Sequence, residues 1–419
     1  MLLKPKGTLD ILPDQSRLWQ RVERTLCSKA EEYGFGQLRL PTFEYSELYK
    51  RGVGQSSDIV QKEMYSFFDN DGRNLTLRPE GTAGVVRSVI ENSLVNEAMP
   101  LSLYYLISCF RYEMPQAGRS REFYQFGAEV FGADSPSCDA DLMRMVSDML
   151  STLGVRTSLE INSIGCRHCR PKYHRALREY FSAYKDQLCP TCLERLETNP
   201  LRILDCKSPI CRDISKGAPV TVDHLCAPCR EHFEGVKSYL DAAGISYKVN
   251  PRIVRGLDYY QRTVFEFISE DVGSQSTVCG GGRYNGLVAE LGGPDISGIG
   301  FAMGLTRIIL AMKASGAEAG EDTFDLYLAS MGDRAAKSCF VMAGELRKRG
   351  VRVLFDQVGR SVKAQMKFAD KKRAAFTAVI GDSELDSGET DIRDMNASQV
   401  TRCAFDPDAI AQIVKRKTV

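Results

Sequence analysis

Net charge is nearly absent from this 419-residue chain: 55 Lys and Arg stand against 54 Asp and Glu, leaving +1. That balance argues against wholesale coating of nucleic acid, while leaving room for a local basic patch. Long apolar runs are also missing, and none approaches the roughly 20 residues of a membrane span, so no membrane association is expected. The first residues, MLLKPKGTLDILPDQ, carry lysines and prolines where a secretory leader needs an apolar stretch. A cytoplasmic protein is expected. No internal repeat or low-complexity tract is present. Histidine is scarce: all four residues, His168, His174, His224 and His232, fall in one region. Eight of the 14 cysteines lie there too, between Cys166 and Cys229. The remaining composition, 43% hydrophobic and 26% charged, is that of a globular chain long enough for several domains.

Four blocks follow one another. Residues 1–164 mix helix and strand signals. Leu18, Val22 and Leu26 recur at helical spacing until Gly34, and QLRLPTFEY, LTLRP and FYQFGAEVFG read as strands. Residues 165–240 hold the cysteines and helical pieces such as RPKYHRALREYFSAY. Residues 241–320 return to strands, then a Gly-rich turn and the apolar helix GLTRIILAMKASG. Residues 321–419 alternate strands (FDLYLASM, RVLF, TAVIGD) with helices expected at 333–349 and about 361–374, which predicts a small α/β domain.

Three stretches carry polar residues that a core does not need. In FRYEMPQAGRSREFYQFGAEVFG, Arg111 sits on one strand, and Gln125 and Glu129 share a face of the next, with the small Gly127 between them. Taken alone, a solvated surface hairpin explains this equally. In GIGFAMGLTRIIL, Arg307 falls in the first turn of a helix, where a cation is misplaced unless an anion sits nearby. In YGFGQLRLPTFE, Pro41 suits an edge strand at a subunit boundary. A fourth stretch, RIVRGLDYYQRTVFEF, reads as strand from Ile253 and Val254 onward, yet Arg255, Asp258, Tyr259 and Tyr260 interrupt it. Buried polar atoms of that kind need partners.

In chain order these stretches resemble motifs 1, 2 and 3 of the class II aminoacyl-tRNA synthetases. RGLDYYQRTVFEF and GGGRYNGL are similar to the two signature segments of histidyl-tRNA synthetases of bacterial type. PKGTLDILPDQ and LRPEGTAGVVR match the same family, and the resemblance spans essentially the whole chain. It implies an α+β fold: an antiparallel sheet flanked by helices, an inserted, mostly helical Cys-rich segment and a C-terminal α/β anticodon-binding domain. Residues 1–164 and 241–320 would then be the two parts of the catalytic domain. The implied partners are ATP with Mg²⁺, L-histidine and tRNA-His. The implied reaction is histidyl transfer through histidyl-adenylate by a homodimer.

Carried over residue by residue, Arg111 would contact the α-phosphate, Arg255 would lie opposite it, and Arg307 would reach the distal phosphates. Glu80, Thr82 and Gln125 would suit the substrate ammonium, and Glu129 and Tyr260 its imidazole. Tyr259 joins the histidine-binding set, although it and Asp258 could equally support the strand. Arg119 and Glu122 are candidates for ATP or acceptor-end contact. Met114 stands where many relatives carry arginine. A site that hydrogen-bonds a polar side chain rejects apolar analogues by about 10⁴–10⁵ without editing, so the insertion is expected to contact tRNA instead.

Spacing, not resemblance, marks the cysteines. Cys166/Cys169, Cys189/Cys192 and Cys226/Cys229 are Cys-x-x-Cys pairs, and Cys206/Cys211 is a looser one. A reducing compartment disfavours disulfides, so two four-thiolate zinc sites are expected. Which pairs share an ion stays open. In GRSVKAQMKFADKKR, Arg360, Lys363, Lys367 and Lys371 form a basic stripe opposite Val362, Met366 and Ala369, which an anticodon-binding domain could lay on phosphate. Two rivals remain. One is a non-catalytic histidine-binding regulatory paralogue of ATP phosphoribosyltransferase, which would lack the last domain and the arginines. The other is a structural zinc module, which leaves the distant polar motifs without a purpose.

Overall fold

Leu18, Trp19, Val22, Leu26 and Ala30 line one stripe of helix α1 (Pro13–Glu32), and all five are buried. Gly34, at φ +81°, takes the left-handed turn that ends the run. The structure, a computed structural model, describes residues 2–54, 57–116, 118–206, 208–275, 277–318 and 323–415. Two compact units divide the chain, Met1–Ala319 and Gly320–Val419.

After α1 the first unit runs β1 (Gly36–Gln37), β2 (Phe43–Tyr45), α2 (Ser46–Gly52), β3 (Tyr65–Phe68), β4 (Asn74–Leu77) and α3 (Thr82–Glu91). The long pair β5 (Leu101–Phe110) and β6 (Glu122–Phe131) follows, then α4 (Pro136–Thr152) and β7 (Ser158–Ser163). The insertion contributes α5 (Arg170–Ser182), α6 (Pro190–Thr198), α7 (Pro209–Ser215) and α8 (Ala227–Ala242). The unit closes with β8 (Tyr247–Val249), β9 (Gln261–Ile268), β10 (Thr277–Arg283), α9 (Leu287–Glu290), β11 (Gly298–Gly304) and α10 (Leu305–Ala314).

Eight of these strands form one sheet in the order β1-β5-β6-β11-β10-β9-β7-β8. Its interior is antiparallel, and parallel pairs occur at its two edges. This is the antiparallel sheet flanked by helices that the resemblance implies. Alternation assigns its two faces. Phe126, Ala128 and Val130 of β6 and Ile299, Phe301 and Met303 of β11 join α1, α4, α8 and α10 in the main core. Gln125, Gly127 and Glu129 therefore face the other way, toward α3 and the 252–260 segment. β2, β4 and β3 make a separate small sheet.

In the second unit, β12 (Phe324–Ser330), β13 (Val353–Phe355) and β14 (Ala374–Ile380) are parallel, and β15 (Glu389–Asp394) with β16 (Val400–Ala404) extends the sheet antiparallel. α11 (Asp333–Lys348), α12 (Val362–Lys371), α13 (Asp382–Ser387) and α14 (Pro407–Lys415) complete it. Leu326, Leu328, Cys339, Phe376, Ile410 and Val414 pack in its core.

Four sequence expectations are corrected. The strand read from Ile253 starts only at Gln261, because residues 252–260 have no ladder partner and form an irregular loop. The strand read over 37–45 breaks into β1 and β2 around Pro41. The helix expected to reach 374 ends at Lys371, with Arg373 at φ +53° turning the chain into β14. Arg360 leaves the basic stripe: it precedes α12, pairs with Asp356 at 2.7 Å and lies 4.4 Å over the Phe368 ring.

Candidate active site

The antiparallel sheet, α3 and the 252–260 loop enclose a cleft with a cavity volume of about 210 Å³. Arg111, Arg119, Arg255 and Arg307 all line it. β5 ends at Phe110, so Arg111 emerges at the mouth, anchored by Nε donating to the Pro79 carbonyl at 2.8 Å. The Arg119 guanidinium lies 3.2 Å from Glu113. Arg255 pairs with Glu266 on β9 and approaches the Tyr260 ring at 5.6 Å. Arg307, in the first turn of α10, donates to the Thr277 carbonyl at 2.7 Å. Burial, and then the cations Arg119 and Arg111, hold its guanidinium pKa below the ordinary value. A polyanion entering this cleft would relieve that crowding.

The end of the cleft away from the arginines is built around Glu129, which is fully buried. Its carboxylate accepts from Thr82 Oγ1 at 2.7 Å, Tyr284 Oη at 2.8 Å and Tyr105 Oη at 3.2 Å. Burial pushes its pKa up to about 8 even against those three donors. Gly300, across the ladder on β11, makes this possible, since a Cβ there would collide with the Glu129 carboxylate. Gly127 likewise leaves its space to the Tyr105 ring. Tyr259 and Tyr260 line the cleft together, with ring centroids 4.7 Å apart. Glu80 lines it too, while its carboxylate accepts the Thr82 and Ala83 N–H groups at 2.8 and 2.9 Å, serving the start of α3. Gln125 accepts from Cys109 Sγ at 3.3 Å.

Of the residues singled out in sequence, Arg111, Arg119, Arg255, Arg307, Glu80, Thr82, Gln125, Tyr259 and Tyr260 meet at this cleft. Glu129 joins them through Thr82. Glu122 begins β6 and is not among the lining residues. Met114 is exposed. Sequence reasoning passed over Glu113, Glu266 and Tyr284. All three lie inside the quoted motifs, but Tyr284 meets Glu129 across the sheet, Glu113 meets Arg119 within the loop after β5, and Glu266 meets Arg255 of the 252–260 loop, contacts that spacing along one strand does not show.

A family profile described as "Histidyl-tRNA synthetase" matches residues 7–166 and 219–308. The chain belongs to the histidyl-tRNA synthetase family. A second profile, "Anticodon binding domain", matches residues 325–416. The chain is 48% identical over 398 residues to the histidine–tRNA ligase of Desulfitobacterium hafniense strain DSM 10664 / DCB-2, covering 94% of each chain. It is 48% identical to the histidine–tRNA ligase of Caldanaerobacter subterraneus subsp. tengcongensis, covering 97% of this chain and 98% of that one. Among solved structures, the apo S. aureus histidyl-tRNA synthetase matches at TM-score 0.84 and 37% identity, over 99% of this chain and all of the other. For a histidyl-tRNA synthetase family member, the arginine-lined cleft beside a buried carboxylate is the expected place for chemistry.

Away from the cleft, the family match leaves out 167–218, the middle of the Cys-rich insertion. Folding settles which cysteines meet. Cys166, Cys169, Cys226 and Cys229 form one tetrad, and Cys189, Cys192, Cys206 and Cys211 the other. Within each, all four sulfurs lie within 4.8 Å of one another. Recorded separations are 3.6, 3.8 and 3.7 Å in the first tetrad and 3.8 Å in the second. Backbone N–H groups of Cys166, Cys189 and Ser208 donate to the sulfurs of Cys169, Cys211 and Cys206. Either tetrad can hold a metal ion. No helix among the described residues is long and apolar enough to cross a membrane.

Proposed function

We infer that this chain ligates L-histidine to tRNA-His, with ATP, through histidyl-adenylate. One observation carries the reading: in a histidyl-tRNA synthetase family chain, four arginines converge on a cleft backed by a buried, hydroxyl-bound carboxylate. In the first step a histidine carboxylate oxygen attacks the α-phosphorus of ATP, and pyrophosphate leaves. In the second the terminal ribose hydroxyl of the tRNA attacks the histidyl carbonyl, and AMP leaves. Neither step demands a strong protein base. Both demand charge neutralisation and alignment.

Arg111 and Arg255 would hold the α-phosphate, and Arg307 with Arg119 the distal phosphates. Magnesium would accompany the ATP. Glu113 at the cleft and Glu266 beside Arg255 are hard oxygen donors of the kind it takes. Bound there, the ion would neutralise triphosphate charge. Glu80, Thr82 and Gln125 would meet the histidine ammonium, while Glu129, Tyr259 and Tyr260 would meet its imidazole. Exposed Arg167, Lys172, Arg175 and Arg178 on and beside α5 would contact tRNA phosphates, with His174 kept neutral among them by a pKa lowered to about 4. Lys363, Lys367 and Lys371 would do the same in the second unit. Exposed Phe43, Tyr45, Phe67 and Phe68 on the small sheet suit a second copy of the chain, hence a homodimer, working in the cytoplasm.

Zinc is the metal assigned to the two cysteine tetrads. Four thiolates at a Zn–S distance of about 2.3 Å place sulfurs about 3.8 Å apart, the spacing found in both. The regulatory-paralogue reading is weaker, because Arg111, Arg255, Arg307 and the anticodon-binding unit are all retained. Histidine-dependent ATP–pyrophosphate exchange tests the assignment. Exchange that requires both histidine and ATP is the expected result. A silent protein that still binds histidine would favour the regulator, and one that does neither would overturn both.

A further inference from the structure

The 252–260 loop carries Arg255, Tyr259 and Tyr260 into the cleft, yet it has no strand partner. Asn250, Glu266 and the packing of Ile253, Tyr259 and Tyr260 hold part of it. Further anchors come from the insertion and its borders. Arg170, next in sequence to Cys169, donates to the Tyr260 carbonyl. Asn199, between Cys192 and Cys206, donates to Asp258 Oδ1 at 3.3 Å, and Arg202 pairs with the same oxygen at 3.7 Å. Arg252 donates to the Lys216 carbonyl at 2.6 Å. Val254 belongs to the apolar core of the insertion, together with Cys192 and Cys211. On the opposite side, Asp258 N–H donates to the Val53 carbonyl at 3.2 Å and Asn162 to the Ile253 carbonyl at 3.0 Å.

Each tetrad thus sits one step from an anchor of the loop. Cys169 fixes where Arg170 starts α5. Cys192 and Cys206 bracket the segment that presents Asn199 and Arg202. That segment consists of short helical turns, whose order four metal-bound thiolates would impose far better than a small apolar cluster. We propose that the Cys-rich insertion is a metal-dependent brace, in which zinc in the two tetrads positions the 252–260 loop and so sets the affinity for histidine and the α-phosphate. No cysteine of either tetrad reaches the cleft, so the effect passes through Arg170, Asn199, Arg202 and Asp258. Asp258 is a positioning residue, the joint between brace and loop. The inference rests on the zinc assignment, and the experiment keeps the two apart.

Tag-free holoenzyme is analysed for metal, then stripped with a chelator. Histidine binding is followed by calorimetry before stripping, after it, and after zinc is restored. The expected outcome is two zinc per chain, histidine affinity lowered on the order of 10–100-fold on removal, and recovery on return. Asp258→Asn provides the second arm. It should keep both zinc ions and the melting temperature, raise the histidine KM on the order of 10–100-fold in pyrophosphate exchange, and change kcat much less. Metal-free protein as isolated would overturn the zinc assignment and this inference together. Two bound zinc ions with histidine affinity indifferent to their removal, or an unchanged KM in Asp258→Asn, would overturn the brace alone.

Discussion

Asp139→Ala should destabilise the first unit far more than an ordinary surface change. Arg283, the last residue of β10, is fully buried. Its Nε and Nη2 donate to the Asp139 carboxylate of α4 at 2.9 and 2.5 Å. Its remaining hydrogens go to the Ala133 and Ser135 carbonyls at 2.8 and 3.0 Å. Removing Asp139 leaves the guanidinium buried with two carbonyl dipoles and Asp134, a half-exposed carboxylate 3.4 Å away. It also removes the partner of His232 on α8, 3.1 Å from Asp139 Oδ1. Breaking one side of a buried pair costs about 3–5 kcal/mol. At roughly 2–4 °C per kcal/mol for a domain of this size class, melting should fall by about 10 °C. The assay is equilibrium unfolding in urea with a thermal scan beside it. The double variant Asp139→Leu with Arg283→Met should recover much of the loss, because no charge is then stranded. Tyr284 follows Arg283 and its hydroxyl holds Glu129, so the single variant should also raise the histidine KM. A cost under about 1 kcal/mol, the scale of an exposed pair, would refute the reasoning, as would a double variant no better than the single one.

Two further outcomes follow from the cleft. The folded chain holds the Glu129 proton up to about pH 8, whereas the unfolded chain releases it near the ordinary 4.5, so the ligand-free fold should lose stability as pH rises through that window. Glu129→Gln should flatten that part of the melting-temperature profile between pH 5 and 9 and weaken histidine binding; a profile unchanged from wild type would show that the carboxyl is not titrating there. Arg307→Ala should lower kcat by about 10²–10³-fold, and Arg307→Lys should recover little because the planar fork is lost, both read by pyrophosphate exchange.

The cleft was legible in sequence to the extent that single strands carry it. Alternation alone puts Gln125 and Glu129 on one face, and Arg307 announces an anion by standing at a helix start. Resemblance supplied Arg111, Arg255, Glu80 and Thr82. Contacts between segments were invisible: Tyr284, just past β10, reaches Glu129 on β6, and Glu266 on β9 meets Arg255 of the 252–260 loop. The 252–260 stretch misled because its apolar and aromatic residues have strand propensity but no neighbour to pair with. Cysteine spacing showed that metal ligands were present, whereas only the folded insertion shows that the first pair closes with the fourth and the second with the third.

The ladder between β6 and β11 joins residues 122–131 to 298–304. A ribosome adds roughly 5–20 residues per second, so β6 waits about 10–30 s for its neighbour to be made. Throughout that interval Glu129 lacks Gly300 beside it, for most of it Tyr284 has not been made to bond it, and Arg307 has not been synthesised. The insertion, with all eight tetrad cysteines, leaves the ribosome within that gap. Nascent chains halted before residue 298 are therefore expected to load metal without binding histidine.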